Sequence, residues 1–258
     1  MGINFVNHDS VSCRNAFRLL SLAIVACLSS TMAIRCVAFD LDDTFWDCRA
    51  VIAHAEQQLY QWLQANHPAI SREYSLKALI THRQDFATCH PELHHDLGAL
   101  RLTWLQTLAR EHGQNSTMAQ AAYEKFFIAR NQVTFFPEVL ETLNRLHGSY
   151  RLGVISNGNA DVHHIGIGHF FHFVLHSAEA GISKPDPLIF HQALARAGVS
   201  VDEMVYVGDD PEKDIIGACR AGLRTIWYNP RSQEIPERVF PDAVMTNFAE
   251  LDKLLQSL

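Results

Sequence analysis

The sequence predicts an α/β fold: a parallel sheet, doubly wound with helices on both faces, interrupted after its first strand by an all-helical domain. Three observations carry this. From about residue 134 onward, short β-branched and aromatic runs alternate with helical patterns, which argues crossover connections and a sheet covered on both sides. One strand-like run, Val37-Ala38-Phe39, stands far upstream of the others. Between them, apolar residues recur every three to four positions. The expected domains are an N-terminal extension or leader at 1–33, an α/β core formed by 34–48 and 134–258, and a helical domain at 49–133. A chain of 258 residues is long enough to bury such a core with its insertion.

At the N-terminus, Arg14 and Arg18 precede the apolar run Leu19 to Leu28, the charge-then-apolar profile of an export signal, and Ile24-Val25-Ala26-Cys27 resembles a lipoprotein cleavage box. The run is short for a membrane span. Met32-Ala33-Ile34-Arg35 lies directly ahead of the first strand. The preferred reading is that residues 1–31 extend upstream of the true start or form a disordered leader on a cytoplasmic protein; a genuine signal or lipid anchor is the alternative, and without one no membrane partner is expected. The formal charge of −7 and the lack of a Lys/Arg stripe argue against a nucleic-acid polymer as partner. Six cysteines without C-x-x-C spacing read as free thiols in a reducing compartment.

The first strand runs into Asp40-Leu41-Asp42-Asp43-Thr44. Side chains two apart on an extended segment share a face, so Asp40 and Asp42 present paired carboxylates at the strand's end. Such a pair suits a divalent cation such as Mg²⁺ or a shared proton, and both states serve phosphoryl chemistry. Helical spacing follows in Val51, Ala55, Leu59, Trp62 and Leu63, ending near Asn66-His67-Pro68. It resumes in Leu97, Leu100, Trp104, Leu105 and Leu108 before Gly113, and in Met118, Ala122 and Phe126. The aromatics read as helical core. Pro137 is expected to open a helix carrying Val139, Leu140, Leu143 and Leu146.

Strands are then expected near 150–156, 172–176, 204–209, 225–228 and 243–246. The first ends in Ser156-Asn157-Gly158, two donors for an anion and a residue that lets the backbone turn closely. Lys184 sits in Ser183-Lys184-Pro185-Asp186-Pro187, where the prolines stiffen the backbone and a helix starts near Asp186 or Pro187. The run Met204 to Gly208 ends in Asp209 and Asp210, with Asp214 four residues on, then Gly217-Ala218 and Ala221-Gly222 at close-packing spacing on a helix. Each element alone is an ordinary strand and turn. Together they converge, because strand C-termini of an open parallel sheet line one crevice. His90, His94 and His95, and the group His163, His164, His169, His172 and His176, suggest a metal cluster by number, but no single helix presents the second group, which weighs against one.

With these four elements in order, the sequence from Ile34 onward resembles the haloacid dehalogenase superfamily of Asp-nucleophile phosphohydrolases. The resemblance implies a Rossmann-like core with an inserted helical cap of the first type. It makes Asp40 the nucleophile, which forms an aspartyl phosphate, and Asp42 the general acid/base. Thr44, Ser156 and Asn157 would hold phosphoryl oxygens and Lys184 would steady the nucleophile. Mg²⁺ would be held by the Asp40 carboxylate, the Asp42 backbone carbonyl and Asp209, with Asp214 behind them. The substrate would be a small phosphorylated metabolite. An acid at position 42 favours phosphate esters over halides, because a halide leaves without a proton. Further similarity, to bacterial flavin-pathway phosphatases acting on 5-amino-6-(5-phospho-D-ribitylamino)uracil and flavin mononucleotide (FMN), rests on Phe39 to Thr44, Arg49-Ala50-Val51-Ile52, His67-Pro68-Ala69, Pro91 to Asp96 and Asn157-Gly158-Asn159-Ala160. Phe45-Trp46 departs from the usual Leu-Tyr, and Trp46 could either stack on a flat ring or wedge the cap hinge. A nucleotide or sugar-phosphate phosphatase, a phosphomutase, a non-catalytic phosphate-binding module and a lipid-anchored surface protein remain alternatives.

Overall fold

The computed structural model describes residues 33–258. The export-signal profile, the Met32 start, Cys13 and Cys27 lie outside the described residues. Six parallel strands form one sheet: β1 (Cys36–Phe39), β2 (Arg151–Ser156), β3 (Phe173–His176), β4 (Met204–Gly208), β5 (Arg224–Tyr228) and β6 (Ala243–Met245), in the order β3-β2-β1-β4-β5-β6. Every strand expected from the sequence is present. Both faces of β1 are buried: Val37 and Phe39 join one hydrophobic cluster, Cys36 and Ala38 the other. Its unbroken apolar run follows from that double burial. β1 pairs with β2 on one side and β4 on the other. The chain therefore winds outward from β1 in both directions, and the crevice at the reversal opens at the end of β1.

Residues 48–130, in the connection from β1 to β2, form five α-helices: α1 (Cys48–Asn66), α2 (Pro68–Glu73), α3 (Leu76–Thr88), α4 (Leu97–Glu111) and α5 (Ser116–Arg130). Side chains of Asp47, Ser75, Asp96 and Asn115 cap α1, α3, α4 and α5 by accepting from backbone N–H groups of the first turn. These helices enclose a cluster of their own that includes Ala55, Leu59, Leu63, Trp104, Leu105, Leu108, Ala122 and Phe126. Leu97, expected on that core face, is 42% exposed, because it starts α4 beyond the cluster. α2 and α3 each bury a single residue, Ile70 and Leu79, so neither shows the apolar period that signals a helix in sequence.

The remaining helices are α6 (Val139–Leu146), α7 (Val162–Ile165), α8 (Ser177–Ala180), α9 (Pro187–Ala197), α10 (Gly217–Arg220) and α11 (Leu251–Ser257). Pro137 does not open α6: Glu138 intervenes with φ 68° and the helix starts at Val139. Asp186 caps α9, with Pro187 in its first turn. A π-helical turn, Pro211–Ile216, leads into α10. The close-packing expectation holds for Gly217, where a Cβ would lie 2.9 Å from Pro185 Cα. It fails for Ala221-Gly222, since Gly222 takes φ +84° and lies past the end of α10. Among the described residues no helix is long and apolar enough to cross a membrane. The four described cysteines, Cys36, Cys48, Cys89 and Cys219, carry free thiols.

Candidate active site

Asp40 follows the last residue of β1, and its N–H donates to the Val207 carbonyl of β4 at 2.9 Å. Its carboxylate is buried and accepts a hydrogen bond from Lys184 Nζ at 2.7 Å. The same ammonium reaches the Asp214 carboxylate and the Tyr206 hydroxyl, each at 2.7 Å, so all three of its protons are engaged. Asn157 fixes the lysine in place: its Oδ1 accepts from the Lys184 N–H at 2.8 Å and its Nδ2 donates to the Lys184 carbonyl at 2.9 Å. Thus the Asn157 side chain, expected to face phosphoryl oxygens, is bonded to the lysine backbone. Ser156 Oγ accepts from the Gly158 N–H at 3.0 Å and keeps its own proton to donate.

Asp209 follows β4, and its carboxylate accepts from the Thr44 hydroxyl at 3.0 Å. Asp214 folds back over the end of β4. A Cβ on Gly208 would come within 2.4 Å of it, which is why glycine ends that strand. Carboxylate oxygens of Asp40, Asp209 and Asp214 lie within 4.8 Å of one another, the one such acid, histidine or cysteine group of three among the described residues. Burial pushes Asp40 well above the usual carboxylate range, against the pull of Lys184. Burial, reinforced by Asp214, pushes Asp209 up to about 7. Burial alone would lower the Lys184 ammonium, but Asp214 and Asp40 outweigh it and raise its pKa. Two buried carboxylates and the half-buried Asp209 share one ammonium, so ionising all three calls for further positive charge, and the ligand atoms are hard oxygens. This donor set fits a divalent cation of the Mg²⁺ type.

Asp42 stands apart from that cluster. Its Oδ1 accepts from Trp46 Nε1 at 2.8 Å, and Arg130 Nη2 lies 2.8 and 2.6 Å from its two oxygens. Trp46 is fully buried, with edge contacts to Phe45 and Phe135. It therefore has no exposed face to stack on a ligand. Sequence reasoning missed Arg130 and Tyr206. Tyr206 left a faint signal, a hydroxyl in the otherwise apolar run of β4; Arg130 left none, because it meets Asp42 only through the fold.

The histidines do not assemble. His90 and His94 pair with the Phe86 and Ala87 carbonyls, His172 with the Leu152 N–H and His176 with the Gly158 carbonyl. Beside the Gly158-Asn159 loop, a cavity of about 460 Å³ is lined by His95, Tyr123 and Phe127 from the helical segment and by Asn159 and His176 from the sheet side.

Residues 34–222 match the haloacid dehalogenase-like hydrolase family. The chain is 30% identical over 230 residues to the 5-amino-6-(5-phospho-D-ribitylamino)uracil phosphatase YigB of Escherichia coli (strain K12), covering 86% of this chain and 96% of that protein. It is 33% identical over 201 residues to the glyceraldehyde 3-phosphate phosphatase of Methanopyrus kandleri, covering 75% of this chain and 83% of that one. A crystal structure described as a 2-haloacid dehalogenase from Pseudomonas syringae pv. Tomato DC3000 superposes with a TM-score of 0.80 at 39% identity, over 87% of this chain and 99% of that one. The family match spans well over half of the chain and the Escherichia coli relative is matched over nearly its full length, so the chain belongs to the haloacid dehalogenase-like hydrolase family.

Proposed function

We propose that this phosphatase is a Mg²⁺-dependent phosphoric monoester hydrolase working through an aspartyl phosphate on Asp40. One observation carries the reading: two carboxylates, Asp40 and Asp42, start side by side but end in different surroundings, one on a lysine in the acid cluster and one on Trp46 and Arg130. Two acids with separate environments can take separate roles. Asp40 attacks phosphorus while the P–O bond to the leaving group breaks, and Lys184 holds the nucleophile's geometry. Asp42 gives its proton to the departing alkoxide, then takes one from the water that cleaves the acyl phosphate, so it ends as it began. Ser156 is the hydroxyl offered to phosphoryl oxygens, Thr44 gives its proton to Asp209 and so orients that carboxylate, and Asn157 contributes by fixing Lys184. Asp40, Asp209 and the Asp42 carbonyl would hold Mg²⁺, backed by Asp214; the ion when bound neutralises charge on the phosphoryl oxygens.

The substrate we favour is 5-amino-6-(5-phospho-D-ribitylamino)uracil or FMN. The name of the Escherichia coli relative supports this, as does the cavity of about 460 Å³, with Tyr123 and Phe127 in its wall, large enough for a flat polar ring on a sugar chain. A sugar-phosphate substrate is the second reading, favoured by the Methanopyrus relative. Dehalogenation, the activity named for the Pseudomonas structure, gives no task to a proton donor at Asp42. We take residues 49–133 as the cap over this site and the cytoplasm as its location; a native mature chain beginning at Cys27 would overturn the location.

The test is Mg²⁺-dependent phosphate release from the Met32-start protein over a panel of ribitylaminouracil phosphate, FMN, nucleoside monophosphates, phosphoglycolate and sugar phosphates, with chloride release from 2-chloropropionate alongside. Asp40→Asn is expected to lose several orders of magnitude in kcat. Turnover that survives Asp40→Asn overturns the mechanism, and a sugar-directed profile removes the flavin assignment alone.

A further inference from the structure

Arg130 is the last residue of α5, where the helical segment returns to the sheet domain. It is 1% exposed, yet among the described residues its Nε and Nη1 have no hydrogen-bond partner. All of its polar contact runs through Nη2, which spans both oxygens of Asp42. Leaving two buried guanidinium nitrogens, which carry three N–H bonds, unpaired is costly, so packing interactions hold the group there against that cost. The pair is boxed in on the other sides. Trp46 Nε1 donates to Asp42 Oδ1. Gly158 lies so close that a Cβ there would sit 2.4 Å from Asp42 Oδ2 and 3.4 Å from Arg130 Nη2. Three chain segments, the loop after β1, the loop after β2 and the end of α5, thus meet on one carboxylate.

We infer that Arg130 is a positioning residue: from the end of the last inserted helix it sets the direction in which the Asp42 carboxylate points, so that proton delivery to the leaving group depends on how that helix docks. The inference rests on the reading of Asp42 as the general acid/base. Without the guanidinium, Asp42 keeps Trp46 Nε1 as donor on one of its oxygens, with the weakly donating Cys48 thiol beside it, and can rotate about its own bond. A displacement of about an ångström costs an acid/base group on the order of a hundredfold in rate. Arg130 touches neither Asp40 nor Lys184, so the loss falls on the step that needs a proton.

Leaving-group dependence separates this from a purely structural ion pair. Glycerol 2-phosphate expels an alkoxide that must be protonated, whereas p-nitrophenyl phosphate expels a stable phenolate, and kcat/KM reports the chemistry through formation of the aspartyl phosphate. Arg130→Gln is expected to lower kcat/KM on glycerol 2-phosphate by roughly ten- to a hundredfold and on p-nitrophenyl phosphate by less than about threefold. Arg130→Lys, which keeps the charge but loses the planar fork, should recover part of the loss, and it carries the test if Arg130→Gln does not fold. Asp42→Asn, measured in parallel, should show the same preference for the phenolate in stronger form. Equal losses on the two substrates in a folded Arg130 variant, or a loss confined to KM, overturn the positioning role while leaving Asp42 as the acid. An Asp42→Asn protein without leaving-group dependence overturns the reading of Asp42 and the inference with it.

Discussion

At Gly158 the loop after β2 lies against the Asp42 carboxylate, and no side chain fits between them. Gly158→Ala places a methyl 2.4 Å from Asp42 Oδ2, so the carboxylate must swing away. The expected outcome is a loss of about ten- to a hundredfold in kcat with a melting temperature close to wild type, read from steady-state kinetics beside thermal denaturation. An unchanged kcat would mean that Asp42 does not work from this orientation. Asp40, Asp42, Asp209, Ser156 and Asn157 could be picked out in the sequence because each closes a strand or follows one at a turn, and Lys184 because prolines stiffen the segment that carries it. Their partners could not. Asp42 and Arg130 are 88 residues apart and Lys184 and Asp214 are 30 apart, and no local pattern encodes such meetings. Asn157 shows the limit from the other side: its position is legible, while its attachment to the Lys184 backbone appears only once both loops are in place.

Among the elements, β2 and β3 depend on one missing side chain. Gly153 lies opposite Phe173 in the ladder, and a Cβ there would fall 2.1 Å from the Phe173 ring. Gly153→Ala is therefore expected to destabilise the protein by about 1–3 kcal/mol through overpacking. A lower urea midpoint at unchanged slope would show it, and a midpoint equal to wild type would mean that the ring has another place to go. β1, β2, β4 and β5 were legible because parallel strands buried on both faces are written as short apolar runs, and the half-buried edge strands β3 and β6 keep enough of that character to be read as well. Of the inserted helices, α1, α4 and α5 were legible through their apolar period. α2 and α3 were not, since a helix that buries one residue carries no period to detect.

For the molecule as a whole, the N-terminal ends of the central strands β1 and β4, opposite the active site, are tied together by Glu203, which precedes β4. It accepts from the Ser200 N–H and hydroxyl and from Arg35 at the start of β1. The Ser200 N–H, then Arg35 and the Ser200 hydroxyl, hold its carboxyl down to about 2, below its ordinary value of 4.5. A depressed carboxylate contributes stability that is complete above the unfolded-state value and is lost as pH falls through the folded one. Glu203→Gln should therefore flatten the acid side of the stability curve between about pH 4.5 and 2 while leaving its slope above pH 5 alone. Urea denaturation at stepped pH measures this, and parallel curves for the two proteins would refute it. The position of β1 has a different consequence. It is the centre of the sheet, yet Cys36 pairs with Arg151 and Met204, residues synthesised more than a hundred positions later. At about 5–20 residues per second, the nascent chain carries that unpaired apolar strand for roughly ten seconds before its first neighbour leaves the ribosome. During that interval the inserted helices, whose contacts are local, can already condense. The long connection from β1 to β2 thus leaves the earliest strand waiting longest for a neighbour, and the stretch around Val37 and Phe39 is where chaperones would be expected to bind the growing polypeptide.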